Sequence, residues 1–238
     1  MSKSVYGRIL LKLSGEILAG DRGFGVDPSK ASALAKEIAS ARGMDVQVGV
    51  VIGGGNIIRG ETAATRGMDR VAADYLGMLA TIINAITLQD ALEKEGCETR
   101  TLTAITISQL AEPYIRRRAV RHLDKGRVII IAGGTGNPYF STDTAAVLRA
   151  IEIEADIVLK GTRVDGVYDK DPEKSDDAKR FDSLKFQKII EDGLRVMDMT
   201  AVTLCRENDL PIIVFDVNER GNLARILSGE ALGTLVHE

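Results

Sequence analysis

The residues richest in possible chemistry stand together at 133–143, Gly133-Gly134-Thr135-Gly136-Asn137-Pro138-Tyr139-Phe140-Ser141-Thr142-Asp143. An apolar β-branched run, Val128-Ile129-Ile130-Ile131, precedes them, and an apolar-periodic stretch at 145–155 follows. That order predicts strand, small-residue loop, helix. Ser141, Thr142 and Asp143 then occupy a helix start, where free backbone N–H groups and the positive dipole end face the loop. Glycines admit a ligand close to the backbone, and hydroxyl and amide groups offer neutral donors to phosphate oxygens. Tyr139 and Phe140 add aromatic faces in a chain with five tyrosines and five phenylalanines. A ring joined to a phosphate, as in a nucleoside monophosphate, would use both halves of the loop.

Three more strand ends carry residues of the same kind. They are Lys12-Leu13-Ser14-Gly15-Glu16, Gly53-Gly54-Gly55-Asn56 followed by Arg59, and Lys160-Gly161-Thr162. The carboxyl ends of parallel strands share one sheet edge, and ligands bind there. Lysine, serine, threonine and glycine gathered at that edge describe a phosphate-rich crevice. Each has an ordinary explanation when taken alone: a glycine turn, a lysine snorkelling from an edge strand, an exposed surface arginine at 59. Lys12, however, follows Leu10-Leu11 inside an apolar strand, where an unpaired ammonium would be costly. No GxxxxGK[ST] occurs, and neither glycine cluster completes GxGxxG, because position 58 is Ile and position 139 is Tyr. A P-loop kinase and a dinucleotide dehydrogenase are therefore disfavoured.

The elements that must position these residues alternate between strand and helix without an internal repeat, which predicts an α/β layer fold with a largely parallel sheet. Strands are expected at 6–13, 46–52, 99–102, 128–131, 157–159 and 212–215, with a short closing strand at 232–236. Asp27 caps a helix that has Pro28 at its first position and Leu34, Ala35, Ile38 and Ala41 on one face. A long helix runs from about Asp74 to Lys94 and ends at Gly96. In it Leu79, Ile82, Ile83 and Ile86 are flanked by Leu76, Met78 and Leu88, so that it is apolar over more than one face. Burial in a large core and contact with another subunit both account for that pattern. The polar segment 169–182 reads as a solvated loop. With no linker visible, the expectation is one domain with two lobes, 1–150 and 151–238.

Composition sets the outer bounds. A chain of 238 residues with 45% hydrophobic and 27% charged residues can bury a sizeable core. With 31 basic against 34 acidic residues there is no overall field for nucleic acid or an anionic membrane. Cys97 and Cys205 lie far apart with no metal or redox spacing, which suits a reducing cytosol. The run 9–13 is too short for a signal peptide, and no uninterrupted apolar stretch is expected to reach transmembrane length. His122 and His237 are the two histidines, an unpromising basis for histidine catalysis.

Taken together, LKLSGE at 11–16, GVVIGGGN at 49–56, GTGNPYFSTD at 134–143, EADIVLKGTRVDGVYDKDP at 154–172 and VMDMTA at 196–201 resemble bacterial uridylate (UMP) kinase. That family belongs to the amino acid kinase superfold, a three-layer α/β/α sandwich. The resemblance runs nearly end to end. Its specific elements are GTGNPYFSTD and VMDMTA, whereas the glycine triplet is shared more widely. It implies an Mg²⁺-dependent reaction of ATP with UMP giving ADP and UDP, within pyrimidine nucleotide biosynthesis. The attacking group would be a phosphate oxygen, already anionic at neutral pH, so that positioning and charge stabilisation replace a general base. Lys12 and Lys160 would supply that charge from opposite sides of the transferred group.

The resemblance also implies residue roles. Lys12, Leu13, Ser14, Gly15, Gly55 and Arg59 fall on the ATP phosphate side, and Thr162, Tyr168 and Asp171 on the adenine and ribose side. Gly54, Asp74 and residues 135–142 fall on the UMP side, Asp74 towards the sugar. Asp74 would equally serve as the N-cap of the long helix. Asp143 and Asp198 would organise the site, Asp143 by orienting the lysines or holding the metal's water shell, while Asp198 could simply cap a helix at 199–208. No metal is expected on protein ligands directly. The family is typically a homohexamer, a trimer of dimers, activated by GTP and inhibited by UTP in many bacteria. Residues 20–25 match the segment linked to GTP activation. The basic run Arg116-Arg117-Arg118 with Arg121 reads as a solvated helix face or a regulatory anion site. Gln89 stands where family members often carry Arg, and Gly161 where Ala is common.

Overall fold

A computed structural model of the chain describes residues 3–59, 65, 67–172, 174–194 and 196–238. Glu173, within the polar segment, lies outside them.

The first half of the chain builds β1 (Arg8–Leu13), α1 (Glu16–Ala19), α2 (Pro28–Arg42), β2 (Gln47–Ile52), α3 (Arg70–Lys94), β3 (Thr99–Thr103), β4 (Glu112–Pro113), α4 (Arg116–Asp124), β5 (Val128–Ala132) and α5 (Thr142–Glu152). The second half adds β6 (Ile157–Thr162), β7 (Val167–Tyr168), β8 (Arg180–Phe181), β9 (Ser183–Lys185), α6 (Phe186–Asp192), α7 (Met199–Glu207), β10 (Ile212–Asp216), α8 (Asn222–Leu227) and β11 (Thr234–His237). Nine strands form one sheet in the order β4-β3-β5-β2-β1-β6-β10-β11-β9. Every neighbouring pair is parallel except β10 with β11.

The strands read as apolar runs because both sheet faces are covered, as parallel sheets require. Alternation divides their side chains between two cores. Ile9, Leu11, Leu13, Val48, Val50, Ile52, Leu159 and Phe215 join α2, α3 and α8 on one face. Leu10, Val51, Ile129, Ile131, Val158 and Val214 join α4, α5, α6 and α7 on the other. This is the expected three-layer sandwich.

From β1 the sheet extends through β2, β5 and β3 on one side, all laid down before the chain returns to place β6 and β10 on the other. The order therefore reverses between β1 and β6, and in an open α/β sheet a crevice opens at such a point beyond the strands' carboxyl ends. Helix starts are capped as the sequence suggests: Asp27 accepts from Ser29 N at 2.8 Å, and Ser141 and Asp198 cap α5 and α7.

The structure corrects several expectations. Helix α3 begins at Arg70 with Asp69 as its N-cap, accepting from Ala72 N, so Asp74 is not the cap. The helix gains its extra turn because Asp69, another good capping residue, lies further upstream. Segment 169–182 is not loop throughout, since Arg180 and Phe181 pair with Tyr168 and Val167 in a two-stranded ladder that pins its end. The closing strand starts at Thr234 and is antiparallel. By length and composition alone α3 would pass for a membrane-crossing helix, although Asp74 and Asp90 bound its apolar stretch well short of that length. It instead buries Ala73, Met78, Ile82, Leu88 and Leu92 while leaving Leu76, Leu79, Ile83 and Ile86 exposed.

Candidate active site

Strand pleating explains where the two lysines point. Lys12 follows Leu10 and Lys160 follows Val158 on the same side of their strands, the side that packs against α5. Lys12 and Lys160 are direct register partners across the β1–β6 pair, at the point where the strand order reverses. Sequence reasoning places Lys12 inside its strand and Lys160 at the end of its own, approaching from opposite sides. They lie inside the strands, side by side, because parallel in-register pairing puts both side chains on one face.

Asp143, in the first turn of α5, joins them. Its Oδ1 lies 2.6 Å from Lys12 Nζ and its Oδ2 3.0 Å from Lys160 Nζ, and all three side chains are less than a fifth exposed. Burial alone would raise the Asp143 carboxyl, but Lys12 and then Lys160 outweigh it and hold it below the usual carboxylate range. For Lys160 burial dominates: desolvation pulls the ammonium down, Asp143 partly restores it, and Lys12 works against it. The cluster holds two cations and one anion, a positive excess suited to developing phosphoryl charge.

The N-terminal end of α7 closes the ring around Lys160. Lys160 Nζ donates to the Val196 carbonyl. Two residues on, Asp198 accepts from Ala201 N at 3.0 Å, capping α7, and also from Thr144 Oγ1 at 2.9 Å and from Ser141 Oγ. Asp198 thus ties the starts of α5 and α7 together and keeps Asp143 at its station. Capping and organisation are one arrangement here. Neither Thr144 nor the Val196 carbonyl is visible to sequence reasoning, since a hydroxyl one turn into a helix and a backbone oxygen carry no motif.

Among the described residues, three cavities lie along the ends of these strands and the loops that follow them. One of about 600 Å³ is lined by Lys160, Thr162, Tyr168, Asp171, Leu194 and Val196. A second, about 350 Å³, is lined by Gly54, Asp74, Thr135, Tyr139, Phe140 and Ser141, with Thr142, Gly55 and Arg59 at its margin. The third, about 580 Å³, shares Gly55 and Arg59 with the second and Arg163 with the first. Of the residues expected on the ATP side, Thr162, Tyr168 and Asp171 line the first cavity, which Lys160 also lines, whereas Gly55 and Arg59 line the second and third. Gly136, Asn137 and Pro138 are not among the residues lining the second cavity; Lys12, Leu13, Ser14 and Gly15 line none of the three, and Leu13 is wholly buried.

Close packing accounts for the glycines. A Cβ on Gly15 would lie 2.4 Å from both Asn56 Oδ1 and the Gly53 carbonyl, and one on Gly54 2.7 Å from the Gly77 carbonyl. Gly55 has room, its nearest atom being Arg59 Nε at 3.6 Å, so packing does not require a glycine there. Two buried amides brace this turn. Asn84 donates to the Gly53 carbonyl at 2.7 Å, and Asn84 and Asn56 exchange hydrogen bonds. A lone Asn between Ile83 and Ala85 was the available signal for Asn84. Thr81, one turn earlier, accepts from Gly133 N at 2.8 Å and so anchors the phosphate-type loop to α3. Arg59 pairs with Glu16, and the Ser14 hydroxyl accepts from Glu16 N at 3.3 Å. Beside the larger cavity, Tyr168 Oη donates to Asp165, which raises the phenol above its ordinary value, and Thr162 Oγ1 bonds within its own turn to Val164.

Residues 7–216 match the amino acid kinase family. Among solved structures, UMP kinase from Bacillus anthracis superposes with a TM-score of 0.94 at 42% identity, covering 98% of this chain and 96% of that one. UMP kinase from Ureaplasma parvum gives 0.92 at 36% identity with both chains fully covered. Uridylate kinase from Archaeoglobus fulgidus gives 0.74 at 29% identity, covering 96% and 99%.

Proposed function

This chain belongs to the amino acid kinase family, and from that premise we propose that it is a UMP kinase, transferring the γ-phosphoryl group of ATP to UMP to give ADP and UDP. One observation carries the reading: Lys160, the register partner of Lys12 and ion-paired with Asp143, lines a cavity of about 600 Å³, and Ser141 and Thr142, beside Asp143, line a second of about 350 Å³. The full-length likeness to UMP kinases at 36–42% identity supports it.

In this reading ATP occupies the larger cavity, with Thr162, Tyr168 and Asp171 along its base and ribose and its phosphates running towards Lys12, Leu13, Ser14, Gly15, Gly55 and Arg59. UMP occupies the smaller cavity, its phosphate at Gly54 and the start of α5, its sugar at Asp74 and its ring along residues 135–142. The attack needs no base, because the acceptor oxygen is already anionic. What the chain supplies is alignment and charge. Lys12 and Lys160 exchange part of their contact with Asp143 for the oxygens of the moving phosphoryl group, and Asp143 keeps both ammoniums aimed. Mg²⁺ brought in on the ATP phosphates would neutralise their charge, with the Asp143 and Asp198 carboxylates the groups at hand for its water shell. This donor set fits an ion held chiefly by substrate oxygens.

The exposed stripe Leu76, Leu79, Ile83 and Ile86 on α3 is covered by a second copy, as in the hexamer the resemblance implies. GTP and UTP are the regulators to test first. An ADP-release assay with Mg²⁺-ATP and, in turn, UMP, CMP, AMP, glutamate, aspartate and carbamate tests the reading. UMP should be used far faster than the rest. Turnover confined to an amino acid or carbamate would move the protein to another branch of the family, and no turnover at all would make it a nucleotide-binding protein on this scaffold.

A further inference from the structure

Helix α3 opens with a feature that helix stability does not explain. Arg70 stands in its first turn, where the positive dipole end disfavours a cation. It pairs with Asp74, and arginine preceding an acid by four residues is the weaker orientation of such pairs. The pair is 42% exposed on the arginine side, where ion pairs contribute little to stability. An arginine kept there against three local preferences has other work.

Its contacts indicate the work. Arg70 Nε lies 3.0 and 2.9 Å from Asp74 Oδ1 and Oδ2. Asp74 Oδ2 also accepts from Tyr139 N at 2.8 Å, so this carboxylate joins α3 to the 133–143 loop. The Arg70 guanidinium sits 5.4 Å from the centroid of the Tyr139 ring, within cation–π range. Tyr139 has φ of +70°, a left-handed backbone that is costly for a residue with a Cβ and persists only where surroundings impose it. Arg70, Asp74 and Tyr139 all line the smaller cavity. The carboxylate has about four acceptor positions. Oδ2 takes two donors and Oδ1 only the shared arginine N–H among the contacts described, which leaves Oδ1 with acceptor capacity at the cavity.

We propose that Arg70 is a positioning residue for the acceptor nucleotide: it fixes the Asp74 carboxylate so that Oδ1 receives a sugar hydroxyl, and it holds the Tyr139 turn closed beside that sugar. The proposal rests on UMP being the acceptor. Arg70 acts through Asp74 and the loop, and the ATP side does not feel it.

Calorimetric titration of the intact protein with UMP, 2′-deoxy-UMP, 3′-deoxy-UMP and ATP tests this, using wild type, Arg70→Met, Arg70→Lys, Asp74→Asn and the Arg70→Met/Asp74→Asn double variant. In the wild type at least one deoxy analogue should trail UMP. Arg70→Met should weaken UMP by about tenfold, the scale of losing support for one charge-assisted hydrogen bond. It should also narrow the gap between UMP and that analogue and leave ATP within about twofold. Arg70→Lys should fall between, keeping the charge but losing the fork, and Arg70→Met should add nothing once Asp74 is Asn. A general loss of fold would weaken ATP as much as UMP and leave the UMP-to-deoxy ratio where it was, and that result overturns the proposal. So does unchanged UMP affinity in Arg70→Met, or an additive effect in the Asp74→Asn background. A wild type that binds ATP but not UMP overturns the acceptor assignment itself, a result distinct from intact UMP binding that Arg70→Met leaves untouched.

Discussion

Replacing Asp143 by Asn keeps the size of the side chain and removes the single negative charge that two ammoniums share. The distances, 2.6 Å to Lys12 and 3.0 Å to Lys160, are those of close ion pairs. Opposite unit charges near 4 Å attract by about 4 kcal/mol at an effective dielectric of 20. Two such attractions are lost, while repulsion between lysines on strands about 4.8 Å apart remains. Desolvation had already consumed much of the gross attraction, so the measured scale for breaking a buried pair, about 3–5 kcal/mol, is the better guide. Because the three side chains keep 11–16% exposure, the lower end applies, about 3 kcal/mol. For a domain of this size that lowers Tm by roughly 6–12 °C. The sign with pH is set by Lys160, whose folded value is already below that of a free lysine. In Asp143→Asn it falls further, so between the folded value and about 10.4 the unfolded chain binds more protons and stability rises with pH. The deficit against wild type should therefore be full below the variant's folded Lys160 value and shrink as pH rises from there towards 10. Asp143 itself, held low in the wild type, contributes stability above about pH 3.9 that is lost as pH falls through its folded value. Turnover of Asp143→Asn should drop on the order of 10²-fold, the scale of losing one preorganised electrostatic group. Differential scanning calorimetry from pH 6 to 9.5, with the ADP-release assay alongside, reads all of this. A variant melting within 2 °C of wild type (roughly 0.5–1 kcal/mol) at pH 7, with a deficit that does not change with pH, would refute the claim that Asp143 holds the two lysines.

Lys12→Met and Lys160→Met should each lower kcat by roughly 10²–10³-fold, while Tm stays near wild type because the remaining lysine still pairs Asp143; loss of Tm in step with kcat would count against a direct role. Gly54→Ala, which must place a Cβ 2.7 Å from the Gly77 carbonyl, should lose stability by about 1–3 kcal/mol, whereas Gly55→Ala, with its nearest neighbour at 3.6 Å, should melt normally and raise the KM for ATP. Calorimetry and initial rates on the two variants separate packing from ligand approach. Ile83→Glu, at a position 51% exposed on α3, should reduce the assembly to smaller species in light scattering while the fold persists by circular dichroism; an unchanged mass would mean that this stripe is not the contact.

Much of the architecture is local and could be read locally. Apolar β-branched runs announced β1, β2, β5, β6 and β10, and Asp27-Pro28, Ser141 and Asp198 announced helix starts, because strand alternation and capping depend on near neighbours. The two-residue strands β4, β7 and β8 and the three-residue β9 went unread. Such pieces show no periodicity of their own and exist through the partner they meet. The alternative reading of Asp74 as a cap fails for a related reason: a competing cap at Asp69 and a long-range acceptor role for Tyr139 N cannot both be weighed from one segment.

The sequence by itself determined which residues could bind phosphate and that parallel strands would carry them to a common edge. It determined that Lys12 sits in an apolar strand and Lys160 at the end of another, and hence that each needs a partner. Only the tertiary structure decided that the partner is one shared carboxylate, that the lysines stand side by side, and that Asp198 locks two helix starts together around them. Those facts depend on which strands become neighbours and in what register. Register here is set by burying two apolar faces at once, an energy spread over the whole sheet and written in no single stretch of chain.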